Sequence, residues 1–355
     1  MSARAHATDA TAMGDLGRLT MTSVARIADF GERPVEALEI PRQEWETGDY
    51  VLGEVLDEGS VPYEIEAPSG RAVEVVPGDL IVGALGRRAA TLQIVGDWRA
   101  VGDDRRLQTL SRAGVLGRCT SVATPPPPIA ALAYRGHASR GGSKARMADF
   151  VAEQEPAELR APVILIFGTS MSAGKTIAGK RIIRILKHHG LRVAAAKLTG
   201  VGRYRDVLAM GDAGADVIAD FVDAGLPSTA VEVEVFRAAA ERLLSMLART
   251  RPDVVVVEAG ASPLEPYNGA AAIELLGDRI GFSVLCASDP YAVVGVIGAF
   301  GAKPDLVSGI ATSTAAGIEL IDRLVGLPAL NMLDPGAGAE LERRLLAALG
   351  LAPAS

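Results

Sequence analysis

The sequence predicts an α/β chain of two domains: a β-rich N-terminal barrel or sandwich, then a C-terminal domain with a mostly parallel sheet covered by helices on both faces. Three observations carry this. From residue 21 to 124, short apolar stretches are broken by Gly, Pro and Asp roughly every 8–12 residues, the rhythm of an all-β unit. From residue 161, near-continuous apolar strands alternate with helical patterns, as in a parallel sheet buried on both faces. Between the first of those strands and the first of those helices lies a loop of small residues, Gly168 to Gly174.

Taken in order, residues 1–20 are small and polar and predict a mobile tail. In the β-rich domain, 21–124, the clearest strands are 50–56, 71–76, 79–85 and 91–96. Two of them begin alike. Thr47-Gly48-Asp49-Tyr50 matches Pro77-Gly78-Asp79-Leu80 at an offset of 30 residues, each Gly-Asp making a turn and each apolar run a strand. Two similar turns in one small barrel is a simpler account than duplication. Residues 125–160 read as a linker: Pro125 to Pro128 form a stiff polyproline spacer, followed by Arg135, His137, Arg140, Lys144 and Arg146 among Gly and Ser. That basic stretch is either a solvated linker or a lid that closes on an anionic ligand. Over 161–355, strands are expected at 162–167, 192–199, 253–259, 282–289, 305–312 and 328–333. Helices are expected at 174–189, 213–223, 235–250, 292–300 and 315–325.

Composition narrows the function. At 355 residues two domains are the natural expectation, and 49% hydrophobic content excludes a wholly disordered chain. A net charge of −7 argues against non-specific binding to nucleic acid or to an anionic membrane, and 4% aromatic content against a broad base-stacking surface. No apolar run reaches about 18 residues, so no membrane span is expected. The N-terminal stretch has no secretory apolar core, and Cys119 and Cys286 have no metal-type spacing, which points to a reduced, cytoplasmic protein.

The loop Gly168-Thr169-Ser170-Met171-Ser172-Ala173-Gly174-Lys175-Thr176 follows a strand and opens a helix, the context a phosphate-binding P-loop needs. Backbone amides and the helix N-terminus grip an anion, Lys175 reaches the β- and γ-phosphates, and the Thr176 hydroxyl sits on Mg²⁺. One departure is Thr169, where the usual spacing has glycine. Lys197 ends an apolar strand, a costly place for an ammonium group unless an anion meets it. Glu258 ends another and suits a metal ion. Asp206 or Asp212 is the second metal ligand, with Asp206 favoured, while Asp216 and Asp220 read as the polar face of a helix. Tyr267 and Asn268 are either substrate contacts or turn formers.

The Gly-Thr-x4-Gly-Lys-Thr spelling resembles dethiobiotin synthetase and the cobyrinic acid a,c-diamide synthase group of P-loop proteins. Residues 193–200 resemble the stretch in which dethiobiotin synthetase places a lysine near the γ-phosphate and substrate, which implies that role for Lys197, with Thr199 and Gly200 beside the substrate. Glu258 falls where those enzymes have a metal-binding glutamate. Ser170 and Ser172 replace acidic residues of dethiobiotin synthetase, so its diamine substrate is not implied. Residues 215–225, 256–270 and 285–290 look more closely like a P-loop family of initially unknown function that includes a D-glutamate N-acyltransferase.

The expected activity is Mg-ATP-dependent transfer of the γ-phosphoryl group to a small-molecule carboxylate or oxygen, of kinase or ligase type, with Lys175 and Lys197 as the catalytic cations. The alternatives are an amino-acid N-acyltransferase that binds acyl-CoA at the phosphate loop, a nucleotide-dependent regulatory switch, and a degenerate loop that binds nothing. A homodimer is implied by resemblance.

Overall fold

Pairing of strands in the first half closes on itself. In the computed structural model, which describes residues 11–14, 17–30, 35–59, 62–301 and 303–351, the strand Leu80–Leu85 pairs antiparallel with Tyr50–Gly59, and that strand with Ala130–Arg140. Ala130–Arg140 pairs with Arg106–Thr109, which pairs with Val115–Val122, which returns in parallel to Leu80–Leu85. The ring is a β-barrel, the first of the two expected architectures, and closure leaves these five strands without an open edge. Alternate residues point inward, so Val51, Val55, Ile81, Leu85, Leu107, Leu116 and Leu132 form one buried cluster.

Two expectations are corrected here. Residues 11–14 and 17–21 are strands, the second pairing in parallel with Leu80–Leu85; the rest of the expected tail, 1–10 and 15–16, lies outside the described residues. Residues 130–140 are neither linker nor lid but a barrel strand, and the cations around them are engaged. Arg135 pairs with Glu54 at 2.5 Å, Lys144 with Glu46 at 2.8 Å and Asp49 at 3.0 Å, and Arg146 with Asp149 at 3.2 Å. His137 is fully buried, its Nε2 3.1 Å from Asp49 and its Nδ1 2.6 Å from the Tyr134 hydroxyl. Every second residue from Ala130 to Ala138 (Ala130, Leu132, Tyr134, Gly136 and Ala138) is apolar or small, which lets the segment join the barrel wall despite the prolines before it.

The repeated Gly-Asp turns are reciprocal. Gly48 N–H donates to Leu85 O (2.8 Å) and Gly78 N–H to Val55 O (2.9 Å); Leu85 N–H donates to Asp49 O and Val55 N–H to Asp79 O, both at 2.9 Å. Each turn thus closes on the strand that the other begins, about a local two-fold axis. The glycines have φ of 87° and 89°, and each aspartate Oδ2 accepts the amide three residues before it, Glu46 and Val76.

The chain divides into two units. The β-rich unit takes residues 1–153 together with 201–205 and 221–231; the other takes 154–200, 206–220 and 232–355. Two short excursions of the sequence expected to be wholly P-loop domain therefore belong with the barrel. There Val201 bridges Ser228, and Gly202 N–H donates to Pro227 O at 2.9 Å.

The second unit alternates strand and helix: β1 (Val163–Gly168), α1 (Lys175–His188), β2 (Val193–Thr199), α2 (Tyr204–Asp212), β3 (Val217–Asp220), α3 (Val233–Ala248), β4 (Val254–Ala259), α4 (Gly269–Leu276), β5 (Ile280–Ala287), α5 (Pro290–Phe300), β6 (Leu306–Gly309), α6 (Ala315–Val325) and α7 (Gly338–Ala348). Its six strands are all parallel, in the order β3-β2-β4-β1-β5-β6. Every residue of β1, β2 and β4 is buried, which is why they read as unbroken apolar runs. The chain crosses from β4, on one side of β1, to β5 on the other. Such a reversal leaves a crevice at the carboxyl ends of the strands, where ligands of open α/β sheets bind.

Two more expectations fail in this unit. Residues 213–223 form no helix; β3 lies there, and α2 precedes it. Asp216 and Asp220 are four apart, an even spacing that puts both on one face of a strand as readily as of a helix. Residues 328–333 form only a single parallel bridge, Ala329 to Val307. Among the described residues no helix is long and apolar enough to cross a membrane.

Candidate functional site

The loop that opens α1 is built by local chemistry. Thr169 N–H donates to Cys286 O at 3.0 Å, and Thr169 Oγ1 accepts Ser288 N–H at 3.1 Å. The threonine that replaces glycine therefore fastens the end of β1 to the turn after β5, a link that glycine has no side chain to make. Ser172 (φ 64°) and Gly174 (φ 105°) reverse the chain into the helix. At Gly174 a Cβ would sit 3.1 Å from Gly309 Cα, so the left-handed backbone and the close approach both ask for glycine. Ile177 and Ala178 N–H already donate to Gly174 O, each at 3.1 Å, so the amides of Lys175 and Thr176 stand at the positive end of α1.

Two lysines arch over glycines. Lys175, 5% exposed, donates from Nζ to Ser170 O at 2.7 Å, and a Cβ at Gly168 would lie 2.9 Å from that Nζ. Lys197, 4% exposed, donates to Asp206 Oδ2 at 2.6 Å. Its stem lies over Gly200 and Gly260, where added Cβ atoms would come within 3.3 Å and 2.8 Å of Lys197 Cε. Glycine at those places is what gives the long side chain its bed.

Strand register brings the charges into a row. Asp220, Lys197 and Glu258 are successive partners across β3, β2 and β4, all buried near the carboxyl ends of the strands. Burial first, then the negative charge of Asp206, holds the Glu258 carboxyl above the ordinary carboxylate range, against the pull of Lys175, Lys197 and a hydrogen bond from Thr176. Burial would lower the Lys197 ammonium, but Asp206, Glu258 and Asp220 overcome it and raise it. Cys286, beside Lys175, is pushed up to about 12 by burial, so its thiol is no nucleophile near neutrality.

A divalent cation fits this donor set. Glu258 Oε2 is buried without a hydrogen-bond partner, on a carboxylate that already meets the Thr176 hydroxyl. Mg²⁺ usually takes one or two carboxylates and completes its shell with phosphate oxygens and water, so it needs no cage of protein ligands. Among the described residues no group of three or more His, Cys, Asp or Glu is arranged for a metal.

Several sequence-derived assignments change. Asp206, expected on the metal, is paired with Lys197 instead. Thr199 is fully buried with its hydroxyl accepting Gly260 N–H at 3.0 Å, and Gly200 supports the Lys197 stem, so neither presents a side chain to a substrate. Tyr267 is fully buried and Asn268 takes φ 61° before α4; both are turn and core residues here. Asp220 was missed as a member of the site. The signal was present, since ADVIAD ends an apolar run in a carboxylate just as VVVVEA does.

Residues 150–294 match a family model described as "Domain of unknown function (DUF1611_C) P-loop domain". The C-terminal unit is accordingly a P-loop nucleotide-binding domain. Among solved structures, a DUF1611 family protein from Anabaena variabilis is 18% identical, with 56% of this chain and 62% of that one covered and a TM-score of 0.35. The hydrogenase maturation factor HypB from Archaeoglobus fulgidus is 14% identical, covering 53% and 90%, with a TM-score of 0.37. Chloroplast FtsY from Physcomitrella patens is 12% identical, covering 57% and 70%, also at 0.37. No curated protein matches significantly.

Proposed function

We propose that the P-loop unit binds a Mg²⁺-nucleoside triphosphate, ATP in the first instance, and uses its γ-phosphoryl group to phosphorylate or activate an oxygen of a small-molecule substrate. One observation carries the reading: two buried ammonium groups, Lys175 and Lys197, converge with Glu258 at the carboxyl edge of one sheet. Ammonium groups buried this deeply want anions, and a triphosphate supplies them. The loop amides and the positive end of α1 would hold the phosphate chain. Lys175 would exchange the Ser170 carbonyl for β- and γ-phosphate oxygens, and Lys197 would face the transferred group. Thr176 and Glu258 would hold Mg²⁺, which when bound neutralises charge on the β- and γ-oxygens. Phosphoryl transfer asks the protein mainly for positioning and positive charge, and no nucleophile need come from the chain.

Thermal-shift measurements with ATP, GTP and acyl-CoAs, each with and without Mg²⁺, test this, because a ligand bound only by the native state raises its melting temperature. A Mg²⁺-dependent rise with a nucleoside triphosphate, lost in Lys175→Ala, is the expected result. A rise with acyl-CoA alone, indifferent to Mg²⁺, would move the reading to acyl transfer. No rise with any of them would end it.

A further inference from the structure

The helix that carries Asp206 is capped from far away in sequence. The amides of Tyr204 and Arg205, the first two residues of α2, donate to Glu66 Oε2 at 2.7 Å and Oε1 at 2.9 Å. Glu66 itself is buried, and Ser23 Oγ donates to its Oε2. Helices usually begin on a local Ser, Thr, Asp or Asn. Here the preceding residues are Gly202 and Arg203, neither with a side-chain acceptor. A single carboxylate satisfies two first-turn donors and meets the positive end of the helix. The very next residue is Asp206, where the chain passes from the β-rich unit to the P-loop unit, and its carboxylate holds Lys197 at 2.6 Å.

We infer that Glu66 is a positioning residue for the nucleotide site: by fixing the first turn of α2 it sets where Asp206 stands, and through Asp206 where the Lys197 ammonium is held. Its bearing on nucleotide chemistry rests on the role proposed above for Lys197. The mechanical link stands on the hydrogen bonds alone. If the first turn loosens, Asp206 loses its fixed height on the helix and Lys197 its anchor.

The test measures how fast an amine-reactive ester labels Lys197 in the full-length chain, read by mass spectrometry, in parent, Glu66→Gln, Asp206→Asn and the double variant. Glu66→Gln, which retains one acceptor where the parent has two, is expected to speed labelling about five-fold, the effect of losing a cap of ordinary strength on a local opening. Asp206→Asn should speed it at least as much, and the double variant no further, because both changes act on one pair. Ser23→Ala, a milder change that leaves the carboxylate in place, should move Lys197 in the same direction by a smaller factor, and serves if Glu66→Gln does not fold. Labelling at the parent rate in Glu66→Gln, or effects of the two substitutions that multiply in full, overturns the inference. Mg²⁺-ATP titration of the same four proteins should show the same non-additivity. A parent chain that binds no nucleotide overturns the functional reading instead, and the labelling result still decides the link.

Discussion

Glu258→Gln is expected to stabilise the ligand-free protein and to weaken what the ligand adds. Glu258 Oε2 is buried without a hydrogen-bond partner, and a buried acceptor left unsatisfied costs about 1–3 kcal/mol, more when it is charged. Glutamine keeps the shape and removes the charge. The substitution also gives up attraction to Lys175 and Lys197, but Lys197 keeps Asp206 at 2.6 Å and Lys175 keeps the Ser170 carbonyl at 2.7 Å. Because the Glu258 carboxyl sits above its ordinary range, its surroundings favour the neutral form, and the net gain should be about 1 kcal/mol, or roughly 2–4 °C in melting temperature for a unit of this size. A ligand at a hundred times its dissociation constant stabilises by about 2.7 kcal/mol; a ten-fold weaker grip cuts that to about 1.4 kcal/mol. The variant should thus melt above the parent without ligand and show about half the parent's shift with Mg²⁺-ATP. The pH dependence has a definite sign. A carboxyl raised in the folded state contributes stability that is full below its unfolded value of about 4.3 and is lost as pH rises through the folded value. The variant's advantage should therefore be present at neutral pH and vanish in acid. Scanning calorimetry across pH, with and without ligand, reads all of this. A lower melting temperature for the ligand-free variant at neutral pH would refute the burial argument, and an unchanged Mg²⁺ titration would move the metal elsewhere.

Lys175→Ala should leave the chain folded by circular dichroism, with a stability change within about 2 kcal/mol, and abolish the nucleotide-induced shift. Full binding in that variant would remove the phosphate site from this loop. At Gly260 a Cβ would meet Thr199 O at 2.1 Å and Lys197 Cε at 2.8 Å, so Gly260→Ala should destabilise by about 1–3 kcal/mol and weaken nucleotide binding as well. Gly295→Ala, a helix position where a Cβ meets nothing within 4 Å, is the control and should be neutral or slightly stabilising in denaturant melts. Of the two thiols, buried Cys286 should resist labelling until the chain unfolds, whereas half-exposed Cys119 reacts in the native state. Two thiols titrated without denaturant would contradict the packing of β5.

Much of the P-loop unit could be read from the chain because its signals are local. A strand buried on both faces is apolar throughout, and a helix buried on one face repeats at its own period, so β1, α1, β2, β4 and α6 fall where periodicity puts them. The loop at 168–176 was legible for the same reason, being contiguous. Asp220 was placed on a helix because its spacing of four from Asp216 fits helix and strand alike, and the competing signal, an apolar run that ends in a carboxylate, went unread. The strand at 130–140 was obscured because prolines, glycines and basic residues mimic a linker until a partner strand is known, and its charges are answered by Glu54, Glu46 and Asp49 from far earlier in the chain. The likeness of the two Gly-Asp turns could be seen; that each closes on the other's strand could not.

By itself, then, the sequence determined an α/β chain with a phosphate loop at the head of a parallel sheet, because backbone conformation and burial periodicity are written within a dozen neighbouring residues. Only the tertiary structure decided which charges meet. It set Asp206 against Lys197, Glu258 beside Thr176 and Glu66 under the first turn of α2. Such pairings depend on strand order and register, which arise from packing the whole chain and leave no mark on the spacing of any one segment.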